Sequence, residues 1–129
     1  MDRISVNWNE TEDYGLLVLR PAVAGTTEQD WLMALREGRR GRPGSSLLIL
    51  ADPAGFQVDI SAEGLEQIIR FLGGLAPRKV RIAVATDNPL FEPMQSLFDA
   101  IARSLGVDNL QLSGFTNRTD AKLWLLSLR

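Results

Sequence analysis

The residues of this sequence that could do chemistry are carboxylates and hydroxyls near the ends of predicted strands. Asp52, Asp59, Thr86 and Asp87 lie at or just beyond those ends. Carboxylates grouped in this way could bind magnesium or accept a phosphoryl group. Aspartate followed by proline or by asparagine is also typical of a turn. Turn formation is the preferred interpretation, and no metal site is predicted.

The composition limits the catalysis that the chain could perform. It has no histidine and no cysteine, which removes the usual general base, thiolate nucleophiles and the preferred ligands of zinc. Acid–base work would fall to carboxylates, lysine or the single tyrosine. A receiver-type phosphoryl acceptor would also need an acidic pair after its first strand and a lysine after its last, where this sequence has Trp8-Asn9 and Phe115-Thr116. We predict that the protein is not an enzyme, has no catalytic residue and needs no cofactor.

The charge distribution argues against nucleic acid and anionic lipid as partners. The formal net charge is −2 and no aromatic residues are interleaved with the basic ones for stacking on bases. The one concentrated positive patch consists of Arg36, Arg39, Arg40 and Arg42. These arginines could complement the dipole of a helix that ends there, or they could dock an acidic partner.

The chain lacks the apolar segments that membranes require. No stretch approaches the roughly 20 apolar residues of a membrane span. The N-terminal residues Met1–Ser5 run into an alternating pattern and do not resemble a signal peptide. We therefore expect no membrane span and a cytoplasmic location.

Hydrophobic periodicity predicts a single α/β domain over residues 1–129. Period-two alternation and short apolar runs predict five strands, over Arg3–Trp8, Tyr14–Leu19, Leu47–Ala51, Val80–Thr86 and Leu110–Gly114. Four helices separate and follow them, in the order β-β-α-β-α-β-α-β-α. The first and last strands alternate in polarity, so we expect them at the edges of a five-stranded mixed sheet with the sequential strand order 1-2-3-4-5 or a close relative of it.

Polar residues mark the starts of the helices. Thr26 and Gln29 have the spacing of a capping box for the first helix. Ser61 is well placed to cap the second helix, and Asn117 the fourth. The fourth helix is predicted to bury Ala121, Trp124, Leu125 and Leu128.

The junction between the central strand and the second helix carries a resemblance to a known family. From Leu48 to Leu65, an apolar strand and a short loop lead to an aspartate and a serine at a helix N-terminus. This stretch resembles the signature of STAS domains, the anti-sigma-factor-antagonist family. Arg81–Thr86, Phe98–Ala102 and Asp120–Leu125 are similar to the SpoIIAA-like (STAS/SEC14-like) branch of that family, which is bacterial.

The resemblance implies successive right-handed β-α turns and a regulatory role in binding a protein partner. In signalling members the serine after the aspartate is phosphorylated by a partner kinase. Here Ile60 stands at that position and Ser61 follows it. Ser61 therefore has two interpretations, an N-cap worth about 1 kcal/mol or a phosphorylation site favoured by the helix N-terminus.

Five residues are the predicted contacts with a partner or ligand: Asp52, Phe56, Asp59, Ser61 and Phe91. The first hypothesis is a non-enzymatic interaction module that docks a protein partner between Asp52 and Glu63. The alternative is a carrier or sensor of a small apolar ligand, suggested by the two phenylalanines in connecting segments and by lipid-binding relatives of the resembled fold.

Apolar side chains off the buried stripe of the last helix predict a further contact. Leu123 and Leu126 fall outside the spacing of the buried residues. Some apolar surface would then remain on this helix, and a homodimer formed through it is a hypothesis.

Overall fold

The computed structural model describes residues 3–42, 44–53, 55 and 58–127, with backbone alone at 58 and 59. Its strands are β1 (Ile4–Glu10), β2 (Tyr14–Pro21), β3 (Thr26–Thr27), β4 (Ser46–Ala51), β5 (Val58–Asp59), β6 (Val80–Ala85) and β7 (Leu110–Phe115). Its α-helices are α1 (Glu28–Leu35), α2 (Ala62–Gly73), α3 (Phe91–Ser104) and α4 (Arg118–Ser127), and a 3₁₀ helix spans Arg36–Arg40.

Five of the strands form one mixed sheet in the order β1-β2-β4-β6-β7. β1 is antiparallel to β2, and every other neighbouring pair is parallel. The α/β class, the mixed sheet and the four helices agree with the sequence prediction. Two strands of two residues each, β3 and β5, were not predicted, because so short a pair leaves no periodic signal; they pair with each other outside the main sheet.

The sheet is covered unequally on its two faces. One core cluster packs α1, α2 and α3 on the face that presents Leu19 and Ile49. A second, smaller cluster packs α4 on the opposite face, where Leu50, Ala83 and Leu125 meet. The central strands are apolar on both faces because both are covered.

Two of the predicted caps are confirmed. The Ser61 hydroxyl accepts a hydrogen bond from the Gly64 N–H (3.0 Å) at the start of α2. The Asn117 side chain accepts from the Asp120 N–H (2.8 Å) at the start of α4. Each bond satisfies a backbone donor that the helix itself leaves unpaired.

The predicted capping box of α1 is wrong by one residue. Thr27, not Thr26, is the N-cap, and the Asp30 carboxylate, not Gln29, accepts from the N–H of Thr27 (2.9 Å). Thr26 is fully buried, and its hydroxyl accepts from the Trp31 indole N–H (3.0 Å). The hydrogen bond to the Trp31 indole, five residues away, therefore accounts for the burial of Thr26, and Thr27 is left as the cap.

The predicted burial of α4 holds only in part. Ala121 and Leu125 are buried, whereas Trp124 is half-buried against the Phe115 ring, 5.6 Å away between centroids. Leu128 lies outside the described residues. None of the helices in the described ranges combines the length and the apolar character needed to cross a membrane.

Asp30 should make the stability depend on pH in the acid range. The Thr27 N–H holds the pKa of the Asp30 carboxyl below its ordinary value of 3.8; burial opposes this, and Arg3 (3.0 Å) adds to it. A depressed folded pKa gives stability that is complete above the ordinary pKa and is lost as the pH falls through the folded pKa. We expect Asp30→Asn to cost less than about 1 kcal/mol at neutral pH, because the pair is partly exposed.

Urea unfolding at neutral pH and at about pH 3 tests this prediction. The difference between the wild type and Asp30→Asn should shrink on acidification. Asp99→Asn, an exposed carboxylate on α3, is the matched control. A difference that is unchanged by pH would show that the charge of Asp30 contributes nothing.

Candidate docking surface at the carboxyl edge of the sheet

The carboxyl ends of the parallel strands and the N-termini of α1, α2 and α3 meet at one side of the molecule, here called the carboxyl edge. Each of these helices follows a parallel strand, so all three start at this edge. Neighbouring helices pack on one another, α1 on α2 and α2 on α3. Their N-cap residues, Thr27, Ser61 and Leu90, are all exposed and therefore lie on the surface of the carboxyl edge.

Ser61 is exposed at this edge, whereas Ile60 is not. The hydroxyl of Ser61 accepts from the Gly64 N–H, and the side chain is otherwise open to solvent. Ile60 is half-buried and packs against the larger core cluster. Gly64 is buried against Glu28 of α1, and a side chain there would overlap the Glu28 side chain. The start of α2 is thus fixed to α1, and Ser61 presents its side chain outward.

Asp52 lies at the same edge but does not join Ser61. Its carboxylate forms an ion pair with Arg20 (3.3 Å), and its N–H donates to the Leu19 carbonyl (2.9 Å). Arg20 follows Leu16 and Val18 in the alternation along β2, and these two residues pack in the cluster of α4. The Asp52 ion pair is therefore directed toward the face covered by α4, away from α2.

Phe91 is used in packing. The ring is half-buried against the larger cluster and lies on Gly114 of β7, where any side chain would overlap the ring. Phe56 lies outside the described residues. The backbone of Asp59 pairs with Thr27 between β3 and β5, and the Asp59 side chain is also outside the described part of the chain. Of the five predicted contacts, Ser61 and Phe91 belong to helices on one face of the sheet, and Asp52 pairs toward the other.

The segment after β6 is a turn stabilised by side chains. The Thr86 hydroxyl accepts from the Asn88 N–H (3.1 Å), and the Asn88 side chain accepts from the Leu90 N–H (3.0 Å). Asp87 is exposed between them. These bonds support the turn interpretation of the segment, with Thr86 and Asn88 as the residues that form it.

Leu90 and Leu97 are apolar residues of the surface that sequence reasoning missed. Leu90 is 72% exposed and Leu97 is 41% exposed. Residues seven positions apart fall on nearly the same side of an α-helix. Leu90, the N-cap residue, and Leu97 are therefore two exposed apolar side chains on about the same side of α3, and Leu90 lies at the carboxyl edge. The sequence does contain a signal for Leu90: it stands between Pro89 and the first turn of α3, before the helical periodicity of the apolar residues begins.

The arginine cluster lies at the opposite end of α1. The 3₁₀ helix begins with Arg36, and the Arg39 guanidinium lies 4.6 Å from the centre of the Phe71 ring. Arg40 pairs with Glu37 (3.1 Å), and Arg42 approaches Glu10 (3.8 Å). Three of the four arginines thus have a partner within the chain. Their position after α1 fits the interpretation that they complement the helix dipole.

Arg78 is the most consequential polar residue that the sequence did not indicate. It is only 5% exposed, and its Nε donates to the Ser45 carbonyl (2.9 Å). One terminal nitrogen donates to the Gly38 carbonyl and the other reaches the Ser45 hydroxyl (3.4 Å). Burial lowers the pKa of the Arg78 guanidinium, and the charge of Glu10 acts in the opposite direction. Arg78 ties the 3₁₀ helix and the start of β4 to the segment before β6.

Two surface depressions lie among the described residues, and both are open and lined mainly by polar groups. One is formed by Asp13, Ser46, Leu126 and Ser127. The other lies on α3 and is formed by Glu92, Pro93, Gln95, Ser96 and Asp99. Within the described ranges, no three acidic side chains are grouped as a metal site would require.

Comparisons of the chain with models of protein families, with curated proteins and with solved structures found no match. The similarity to STAS domains therefore rests on the sequence motifs alone.

Proposed function

We propose that this chain is a non-enzymatic, STAS-type interaction module that docks a protein partner at the carboxyl edge of its sheet. The observation that carries the proposal is the exposed Ser61 at the start of α2, beside the exposed Leu90 at the start of the neighbouring α3. The resemblance implies successive right-handed β-α turns and a bacterial regulatory role, and a cytoplasmic setting is part of the same proposal.

The chemistry of this surface suits a protein partner. An exposed apolar side chain surrounded by polar groups is typical of a contact that excludes water on binding. Leu90 supplies the apolar side chain, and Ser61 and Glu63 supply polar groups one helix away. The start of α2 packs on α1 through Gly64. A surface that is already ordered before binding loses less conformational entropy on docking.

Ser61 offers a means of regulating such docking. Its hydroxyl is exposed, and a phosphate there would lie at a helix N-terminus, where backbone N–H groups and the helix dipole favour negative charge. Ile60, which stands where the regulated serine of the resembled family is expected, packs toward the core and has no hydroxyl. Any phosphoregulation at this junction would thus act through Ser61.

The docking surface is tested by quantitative affinity capture from a lysate of the source organism. We expect a specific protein to be recovered by the wild type and lost with Leu90→Lys. Leu123→Lys is the matched control, because Leu123 is 62% exposed on α4, which covers the other face of the sheet. Capture of the same protein by all three forms, or of none by the wild type, would contradict the proposal.

The charge at Ser61 is tested by two variants that both preserve the cap. Aspartate and asparagine cap helices about as well as serine, so Ser61→Asp and Ser61→Asn should leave the free energy of unfolding within about 0.5 kcal/mol of the wild type. Only Ser61→Asp adds a negative charge. If a phosphate regulates docking, the affinity for the captured partner should change with Ser61→Asp and stay constant with Ser61→Asn. Equal affinities would leave Ser61 as a cap alone.

A further inference from the structure

β1 is an open edge of the sheet. It pairs with β2 over its seven residues without a bulge, and among the described strands none lies on its other side. In the described part of the chain, no backbone hydrogen bond joins Ile4–Glu10 to any group outside β1 and β2. In an antiparallel strand, the N–H and C=O of every second residue point away from the existing partner. These groups form a row that could bind a further strand.

The sequence of β1 has few of the features that protect edge strands. Proline, lysine, bulges and central charges usually block pairing at an edge. From Ile4 to Asn9 the strand has no charge and no proline, and β1 as a whole spans seven residues. Val6, in the middle of β1, is 39% exposed, although on the same face Ile4 belongs to the larger core cluster and Trp8 packs against it.

The other edge of the sheet is more protected. The carbonyl of Leu112 in β7 already accepts from the Gln95 side chain of α3 (3.0 Å). Phe91 lies on Gly114 of the same strand. α3 and α4 both pack on β7, whereas α1 alone among the helices packs closely on β1. A partner strand would therefore meet less obstruction at β1.

β1 is complementary to itself when two copies run antiparallel. Odd-numbered and even-numbered residues of β1 lie on opposite faces of the sheet. A two-fold axis perpendicular to the sheet keeps the same face of both copies toward their helices, so odd residues stand opposite odd residues and even residues opposite even ones. Full overlap of the strand then puts Asn7 opposite Asn7, Val6 opposite Trp8, and Ser5 opposite Asn9. Val6 opposite Trp8 is a favourable pair of a β-branched and an aromatic residue and occurs twice. No residue of β1 faces a like charge.

We propose that β1 pairs antiparallel with β1 of a second copy of this chain, with Asn7 on the two-fold axis, so that the two five-stranded sheets join into one. The outward backbone groups of both strands become paired, and Val6 is covered by Trp8 of the second copy. The carboxyl edge lies outside this contact, so a dimer would present two docking surfaces.

Engineered disulfides test the register directly, because the chain has no cysteine of its own. Residues opposite each other in an antiparallel pair have Cα atoms about 4.5–5.5 Å apart, within the range of about 4.4–6.8 Å that a disulfide spans. Asn7→Cys should therefore give a covalent dimer under mild oxidation. Asn9→Cys is the matched control on the same exposed face, since its two copies would lie about 13 Å apart along the strand.

Analytical ultracentrifugation of the unmodified chain tests the contact itself. We expect the mass of the wild type to double at high concentration, Val6→Lys to stay monomeric, and Leu123→Lys to dimerise as the wild type does. A wild type that stays monomeric at millimolar concentration overturns the proposal. So does dimer loss with Leu123→Lys alone, which would favour a contact through α4, and so does cross-linking of Asn9→Cys as fast as Asn7→Cys.

Discussion

Replacing Arg78 by methionine is expected to lower the free energy of unfolding by about 2–4 kcal/mol. The guanidinium is buried and donates to the carbonyls of Ser45 and Gly38, which belong to segments far from it in the sequence. Methionine fills a similar volume but removes the Arg78 donors from both carbonyls, and the Gly38 carbonyl keeps only a long hydrogen bond from the Gly41 N–H (3.4 Å). A buried acceptor that loses its partner costs more than the hydrogen bond contributes, because water cannot replace the donor.

The urea midpoint of Arg78→Met, compared with that of the wild type, measures this effect. Lys79→Met is the matched control, because Lys79 is the next residue, is exposed and loses the same charge. Arg78→Lys retains the charge but not the planar fork of donors, so it should recover only part of the stability. If Arg78→Met and Lys79→Met unfold at the same urea concentration, the buried hydrogen bonds of Arg78 do not stabilise the fold.

The second large effect is expected at Gly114, where Gly114→Ala should destabilise the protein by about 1–3 kcal/mol. The Phe91 ring lies so close to Gly114 that a Cβ would overlap it. The ring would have to leave its place against the larger core cluster. Gly44→Ala is the matched control, because an added Cβ there meets open space.

A double-mutant cycle separates this overlap from any backbone effect of alanine. If the ring is the cause, Gly114→Ala should cost far less in a Phe91→Ala background, since the space is then free. Circular dichroism during urea unfolding of the four proteins gives the coupling energy. A cost of Gly114→Ala that is the same in both backgrounds would contradict the packing role assigned to Phe91.

The outcome at Phe91 also bears on ligand binding. Phe91 was a predicted contact because it falls in a connecting segment near the end of a strand. The structure gives the ring an internal partner, and the exposed apolar side chain at this point of the surface is its neighbour Leu90. Both Leu90 and Phe91 follow the same strand, so their place in the segment between strand and helix did not show which side chain covers the core and which faces solvent.

The parts of the fold that depend on local sequence were predictable. Ser61 and Asn117 each cap a helix through a hydrogen bond that spans three residues, so their roles follow from the chain around them. The polarity of the strands likewise indicated which lie at the edges. β1 and β7 alternate, and they border the sheet.

Features that depend on side-chain contacts of the folded chain were not predictable. Thr26 and Thr27 are each followed three residues later by a side chain that can accept a hydrogen bond, and only the indole N–H of Trp31, five residues after Thr26, shows that the first threonine is held in the core. Arg78 resembles any arginine before a strand, and only its carbonyl partners, 33 and 40 residues away, explain its burial. For the candidate site, the sequence indicated that Ser61 stands at the start of a helix. It did not indicate that Asp52 lies apart from Ser61, because Asp52 pairs with Arg20 toward the other face of the sheet.

Because α4 alone covers the second face of the sheet, that face stays uncovered until the end of the described chain has been synthesised. Three helices that protect one face are synthesised before β7, but α4, which covers the other face, follows it. Until α4 leaves the ribosome, Leu16, Leu48 and Leu50 have no helix over them. A nascent chain arrested after Phe115 would present a wide apolar sheet face, the kind of surface that chaperones bind and that promotes association between incomplete chains.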